Sequence, residues 1–359
     1  MGGAFTDHVS WRWCFYINLP FGAVTALFII FFFKAPGKRQ KTATTLREQI
    51  LMLDLEGTFF FIPGIVCLLL ALQWGGTKYP WNNGRIIALF IISGVLMICF
   101  LGIQYWKQDR ATVPPRVFKT RTVWSCCFFA VCLGGAFFLF VFYIPNWFQS
   151  ILGASAVGSG IRNQPMILGL VVTSIFAGGL VTMLGQYAPF MILSSITMAV
   201  GAGLLTTFKV DSSAGVWIGY QLLFGIGVGC GMQQTMVAIQ ASLQGADIAI
   251  GTALLIFTQS LGGALFLCVG QNIFQNKLVS NIAAAHIQGL DPLTVVNTGA
   301  TQIQSLIPKQ FLPAVLVAYN KALTQTFYVG TALAALSILG ALAVPWNSVK
   351  GKKIEMAAA

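Results

Sequence analysis

Polar side chains able to hold a substrate are scarce in this sequence, and those present sit among apolar neighbours. Gln233, Gln234 and Gln240 close one apolar run, Gln259 and Ser260 interrupt the middle of another, and Asn146, Trp147 and Gln149 end a third. An amide or hydroxyl in such a run either bonds a neighbouring helix or turns toward a polar cavity, and the sequence leaves both roles open. Trp147 reads first as an interfacial belt residue and second as an aromatic platform for an apolar ligand. Carboxylates are rarer: Asp54 and Glu56 stand just before one run and Asp247 before another. Asp54 fits a gate at a cavity mouth, or more plainly a negative charge placed at a helix N-terminus.

Nothing resembles a reaction centre. His8 and His286 have no acidic or nucleophilic partner at motif spacing, which argues against an integral-membrane enzyme, and no catalytic residue is assigned. The cysteines, 8 in all, fall mostly inside apolar runs without a Cys-x-x-Cys pair, so neither a metal centre nor a disulfide framework is expected.

The elements that position these residues follow from composition. Hydrophobic residues make up 57% of the 359 and charged residues 8%. Mean hydropathy is +0.79, a balance that cannot coat a soluble globule. In hydrocarbon the backbone must satisfy itself, and long apolar runs without period-2 alternation choose helices over a barrel. The expected fold class is an all-α polytopic membrane protein. Its nine spans are predicted near Ile17–Phe33, Gly57–Trp74, Ile86–Trp106, Trp124–Pro145, Pro165–Leu184, Ala188–Phe208, Gly215–Met236, Ile248–Gly270 and Gln325–Pro345.

The net charge of +12 lies in loops between spans rather than along one face, so nucleic acid is not the expected partner. With the first span running inward, the inner loops collect Lys34, Lys38, Arg39, Lys41 and Arg47, then Lys107, Arg110, Arg116, Lys119 and Arg121, then Lys350, Lys352 and Lys353. This is the larger share of the 21 basic residues and implies an external N-terminus and a cytosolic C-terminus. No removable signal peptide is evident, and the first span itself would direct insertion. Two connections carry helical patterns. Leu46, Ile50 and Leu53 suggest an amphipathic helix on the inner surface, while Phe311, Val315, Ala318 and Ala322 form a stripe that suits either a lid over an outward opening or a helix on the outer rim.

Several stretches carry a family resemblance. Gly2-Gly3-Ala4-Phe5-Thr6-Asp7 and Ser10-Trp11-Arg12-Trp13 through Asn18-Leu19-Pro20 resemble the end of the fifth helix and start of the sixth in fourteen-helix drug/proton antiporters of the major facilitator superfamily. The likeness continues through Leu53-Asp54-Leu55-Glu56-Gly57, Leu72-Gln73-Trp74-Gly75-Gly76, Tyr143 to Gln149, Gly225-Ile226-Gly227-Val228-Gly229 and Gln259 to Ala264. Each motif alone is weak, but their order and spacing resemble the fungal branch related to mycotoxin efflux pumps. One departure is Thr182 to Tyr187, where the family often carries a basic residue.

The resemblance implies a partial major facilitator fold. Residues 1–33 would end an N-terminal half, 34–56 form a cytosolic loop, 57–106 two central linker helices and 107–123 a basic cytosolic loop. Residues 124–345 would form a six-helix C-terminal half with a long external loop at 271–324, and 346–359 a cytosolic tail. Met1 then stands inside a motif, as expected of a fragment or of a shortened paralogue.

The implied function is proton-coupled efflux of a hydrophobic small molecule by alternating access, at the plasma membrane or, alternatively, the vacuole. The expected partners are the lipid bilayer and that substrate, and a proton gradient takes the place of a cofactor. Substrate candidates are Gln233, Gln234, Gln259, Ser260, Asn146, Trp147 and Gln149. Motif and gating candidates are Gly2, Gly3, Arg12, Asp54, Gly57, Gly225, Gly227, Gly229 and Asp247. A non-transporting protein that associates with a full-length partner is the alternative, a siderophore or sugar carrier a more distant one, and the sequence sets no oligomeric state.

Overall fold

The computed structural model describes residues 2–33, 54–108, 111–285, 295–296 and 298–348, without the side chains of Ala4, Asp7, His8 and Ala246. The expected amphipathic helix at 34–53, His286 and most of the tail lie outside the described residues. Nine of the described helical segments are long and apolar enough to cross a membrane, making this an integral membrane protein of all-α class. In order the helices are α1 (Gly2–His8), α2 (Trp13–Tyr16), α3 (Asn18–Phe32), α4 (Leu55–Trp74), α5 (Gly84–Lys107), α6 (Pro115–Phe118) and α7 (Arg121–Ser150). They continue with α8 (Ala156–Arg162), α9 (Gln164–Leu184), α10 (Ala188–Leu205), α11 (Ala214–Ser242), α12 (Ala246–Ala284), α13 (Ile303–Leu306) and α14 (Leu312–Ala343).

Helices α7, α9, α10, α11, α12 and α14 form one bundle with α7 at its centre, against α11, α12 and α14. Small side chains explain why α7 takes that place. Cys126, Cys127, Ala130, Cys132, Gly134, Gly135 and Ala136 let neighbours close in, while Phe129, Leu133, Phe140, Tyr143 and Phe148 fill the gaps between turns. Paired glycines meet where α7 crosses α12: a Cβ at Gly134 would strike the Gln259 carbonyl, one at Gly262 the Val131 carbonyl, and one at Gly263 the Phe138 ring.

The ladder Gly225, Gly227, Gly229, Gly231 has a sharper logic. Alternate residues of a helix lie about 200° apart, so the four glycines divide between opposite faces. A Cβ at Gly225 would meet the Met166 carbonyl and one at Gly229 the Leu170 carbonyl, both on α9. On the other face, Gly227 lies against the Met198 backbone and Gly231 against Ser194, both on α10. Helix α11 is thus clasped from two sides, and Ser194 Oγ donates to the Gly227 carbonyl at 2.6 Å across the second contact.

Helices α4 and α5 form a hairpin in which Gly64 admits Met97 and its carbonyl accepts from Ser93 Oγ at 2.8 Å. The hairpin touches the bundle through α4 on α12. Phe61 stacks near Phe257 with ring centroids 5.4 Å apart, and Asn272 Nδ2 donates to the carbonyls of Leu72, at 3.2 Å, and Gly75. At the other side of the bundle α1 leans on α8, with Gly3 against the Ala156 carbonyl. Helix α3 is apolar all round and exposes its entire length, a surface suited to hydrocarbon or to other helices.

One expectation needs correction. Residues 271–324 are not a loop throughout: α12 runs on to Ala284 and α14 begins at Leu312. Polar residues such as Asn272, Asn276 and Asn320 lower the hydropathy there without breaking the helices. The Val315, Ala318 and Ala322 stripe belongs to α14 itself and is buried, neither lid nor rim helix. Tyr319 of the same turn meets Phe274 of α12 edge-on with centroids 5.2 Å apart, and Asn281 Nδ2 donates to the Ala318 carbonyl at 3.4 Å.

The clasp around α11 makes a prediction. Gly225→Ala or Gly227→Ala should lower the thermal stability of the detergent-solubilised chain by about 1–3 kcal/mol through overpacking against backbone. Gly178→Ala, at a site with open space around the would-be Cβ, should be neutral or slightly stabilising, since alanine is the better helix former by about 1 kcal/mol. Thermal unfolding of the three variants side by side checks the contrast.

Candidate functional site

The candidate polar residues do not converge on one point. Trp147 and Gln149 stand near the outer end of α7, roughly 20 Å along the helix from the Gly134 crossing where Gln259 lies. Trp147 is fully buried, with its indole N–H donating to Asn320 Oδ1 at 2.7 Å. Asn320 Nδ2 in turn donates to the Phe208 carbonyl at 2.9 Å. This overturns the belt reading: because α14 begins 13 residues earlier than its hydropathy suggests, it covers the indole that a bare helix end would have left at the interface. Gln149 Nε2 donates to Ser159 Oγ at 2.9 Å, pinning α7 to α8, and Asn146 is half-buried beside it.

Gln259 is half-buried and gives its carbonyl side to the Gly134 contact, while Ser260 is exposed. On α11, Gln233 is exposed and Gln234 wholly buried. Gln234 follows Gly231, whose face meets Ser194 and Phe129, by one turn. Neither its Oε1 nor its Nε2 has a hydrogen-bond partner among the described residues. An unpaired buried amide costs about 1–3 kcal/mol, which sets Gln234 apart from the other amides of the bundle.

The densest polar constellation among the described residues surrounds Asp54, beside Lys107 and Thr112. Asp54 caps α4 in a left-handed conformation, φ 43, which a short polar side chain tolerates. Its Oδ1 accepts from the Gly57 N–H at 3.1 Å and from Lys107 Nζ at 3.0 Å. Its Oδ2 accepts from Gln104 Nε2 at 2.8 Å, Thr112 N–H at 3.0 Å and Thr112 Oγ at 2.8 Å. A Cβ at Gly57 would collide with that carboxylate, so the glycine lets Asp54 fold back over its own helix. Gln104 Oε1 completes the ring by accepting from the Val113 N–H at 2.8 Å, and Lys107 also pairs with the exposed Glu56 at 2.9 Å.

Burial by itself would raise the Asp54 pKa. The donors from Gln104, Thr112 and Lys107 outweigh it and bring the carboxyl down to about 2, so it stays ionised at any physiological pH. A group held so low is a fixed anion, not a proton carrier. It staples the start of α4, the end of α5 and the loop before α6. Asp247 does similar work at the start of α12, where both its oxygens accept from Arg116, at 2.8 and 2.9 Å.

Sequence reading found both carboxylates and missed their partners, because Gln104, Lys107, Thr112 and Arg116 lie 50 to 131 residues from the acids they hold. Gly2 packs beside Cys14 and Gly3 against α8, whereas Arg12 lies over the Trp11 ring, 5.0 Å from its centroid.

The staple is testable through pH. Asp54→Asn keeps the shape but turns an amide N–H₂ toward donors, and should cost on the order of 2 kcal/mol of stability at pH 7. The native carboxyl's contribution is full above its unfolded pKa of 3.8 and is lost as pH falls through about 2. The gap between variant and native melting temperatures should therefore close over that window, and a gap that stays constant from pH 7 to pH 2 would contradict the arrangement.

Comparison with known proteins places this geometry. The profile of the Major Facilitator Superfamily matches residues 1–267. The chain is 57% identical over 359 residues to the MFS-type efflux pump MFS1 of Arthroderma benhamiae, covering 100% of this chain and 67% of that protein. It is 52% identical over 354 residues to the MFS-type transporter astH of Aspergillus oryzae, 99% of this chain and 62% of the relative. It is 52% identical over 352 residues to the efflux pump roqT of Penicillium rubens, 98% and 65%. The chain thus spans about two-thirds of the length of these relatives or somewhat less. With nine apolar helices among the described residues, a six-helix bundle and a hairpin docked beside it, the chain belongs to the major facilitator superfamily.

Proposed function

We propose that this chain serves the efflux of a hydrophobic small molecule, of the drug or secondary-metabolite class, by proton-coupled alternating access in the plasma membrane. The likeness of nearly all of this chain to about two-thirds of fungal proteins named efflux pumps carries the reading. The bundle supports it chemically. Toward the middle of the described spans the polar groups are neutral amides and hydroxyls, the described acids Asp54, Glu56, Asp211 and Asp247 stand at or beyond helix ends, and Lys277 and Lys321 lie on the portions of α12 and α14 outside the apolar runs. A wall of aliphatic and aromatic side chains with few polar anchors favours an apolar cargo over a sugar or a siderophore. Gln233 and the unpartnered Gln234 are the anchors on α11, since a buried amide that bonds nothing in one conformation is free to bond cargo or a neighbouring helix in another. Asp54, fixed as an anion, is assigned to hold the inner end together and not to carry protons.

Expression in an efflux-deficient yeast should lower the accumulation of at least one lipophilic dye or toxin, and a protonophore should abolish the difference. No change across a broad panel of such compounds would overturn the reading. Gln234→Leu separates the anchor role from folding. It removes the unpaired amide and should raise stability by about 1–2 kcal/mol while reducing export several-fold. Unchanged export in a stabilised variant would return Gln234 to a purely structural role.

A further inference from the structure

Beside the contact between α4 and α12 lies a cavity of about 360 Å³ that the helix packing does not fill. Phe61 and Phe100 of the hairpin wall one side, Ile250, Leu254 and Phe257 of α12 the other, and Val113 closes the end toward the basic loop. Its polar atoms are the hydroxyls of Thr58 and Thr112, and the second is already donated to Asp54. Water has little to bond in such a space, so its natural occupant is apolar.

Depth and charge narrow that occupant. Thr58 and Phe61 stand four and seven residues past the Asp54 cap, roughly 6 and 10 Å into the membrane along α4. This is the acyl region of the leaflet at the basic end. The stretch 107–121 supplies Thr112 and Val113 to the wall; its Lys107 and Arg116 are taken up by Asp54, Glu56 and Asp247, and among the described residues Lys119 and Arg121 are its cations outside those ion pairs. Helix α6 within it packs Val117 against the same Leu254 that lines the cavity, and Lys119 lies exposed two residues beyond. Basic clusters immediately cytoplasmic of a membrane helix attract anionic head groups.

We propose that the cavity binds one acyl chain of an anionic phospholipid from the cytoplasmic leaflet, with its phosphate on Lys119 and Arg121, so that a lipid fills the gap between hairpin and bundle. The test of this site does not depend on transport.

The full chain, purified and placed in nanodiscs of phosphatidylcholine with or without phosphatidylserine, supplies the test. Native mass spectrometry should find one phosphatidylserine retained through delipidation, and added phosphatidylserine should raise the melting temperature by several degrees where inorganic phosphate does not. Ala253→Trp, which plugs the cavity from α12, should keep the helical circular-dichroism signal but lose both the retained lipid and the gain in stability. Ala253→Leu, a smaller plug, should shift both in the same direction and serves if the tryptophan variant does not fold. Lys119→Gln should weaken the preference for phosphatidylserine over phosphatidylcholine at least two-fold. Equal retention of phosphatidylserine by the plugged and native chains would overturn the proposal, as would a native chain that retains neither lipid or is stabilised equally by inorganic phosphate.

Discussion

In hydrocarbon, two apolar helices gain no hydrophobic free energy by leaving lipid for each other, because a lipid tail is as apolar as leucine. Cohesion then rests on how closely backbones approach and on the few hydrogen bonds such approach permits. Four interfaces of the six-helix bundle meet this constraint through missing side chains. The α11 glycines seat α9 and α10, the paired glycines of α7 and α12 seat each other, and Gly340 of α14 takes the Phe129 backbone of α7. The large aromatics Phe140, Phe224 and Phe327 then interlock in the spaces left, with centroids 4.7 and 5.2 Å apart.

Charge follows a second, opposite rule. Ionised groups are expelled from the interior, so they gather at helix ends, where each is made useful as a fastener. Asp54 draws together three segments by accepting five hydrogen bonds, and Asp247 draws in α6 through Arg116. The two fasteners stand on either side of the cavity between hairpin and bundle. Arg121 extends the pattern, its Nε donating to the Ala343 carbonyl at the C-terminal end of α14, where a cation is favoured.

Spans were legible in the sequence because the membrane imposes a long apolar run on any helix that crosses it, and the predicted runs to Trp74 and Leu184 end on the same residues as the helices and begin within two residues of them. What lay beyond the membrane was not legible in that way. Helices α12 and α14 continue together past the hydrocarbon, where asparagines and lysines are as acceptable as leucine, and hydropathy loses sight of them. The same blindness misplaced Trp147, whose cover comes from that unseen portion of α14. Among site residues, Asp54 and Asp247 announced themselves as rare acids, but their partners became visible only once the chain was folded. Gln234 was singled out as a polar residue in an apolar run. That its neighbour Gln233 faces outward while it faces inward is a matter of helix phase, which a nearly uniform apolar run does not reveal.

Helix α12, at 39 residues, is about 58 Å long, close to twice the hydrocarbon thickness of a bilayer. It is gripped at its inner end by Arg116, near its middle by Phe61 and Gly134, and further out by Asn272 bonding the rim of the hairpin. Such a helix is a lever with the α4–α5 hairpin lashed to it at two heights. A tilt of about 10° about its inner end would sweep the far end through about 10 Å at that length, and the hairpin would travel with it. Motion begun among the loops at the Arg116 end would in this way be delivered, enlarged, to the far end of α12.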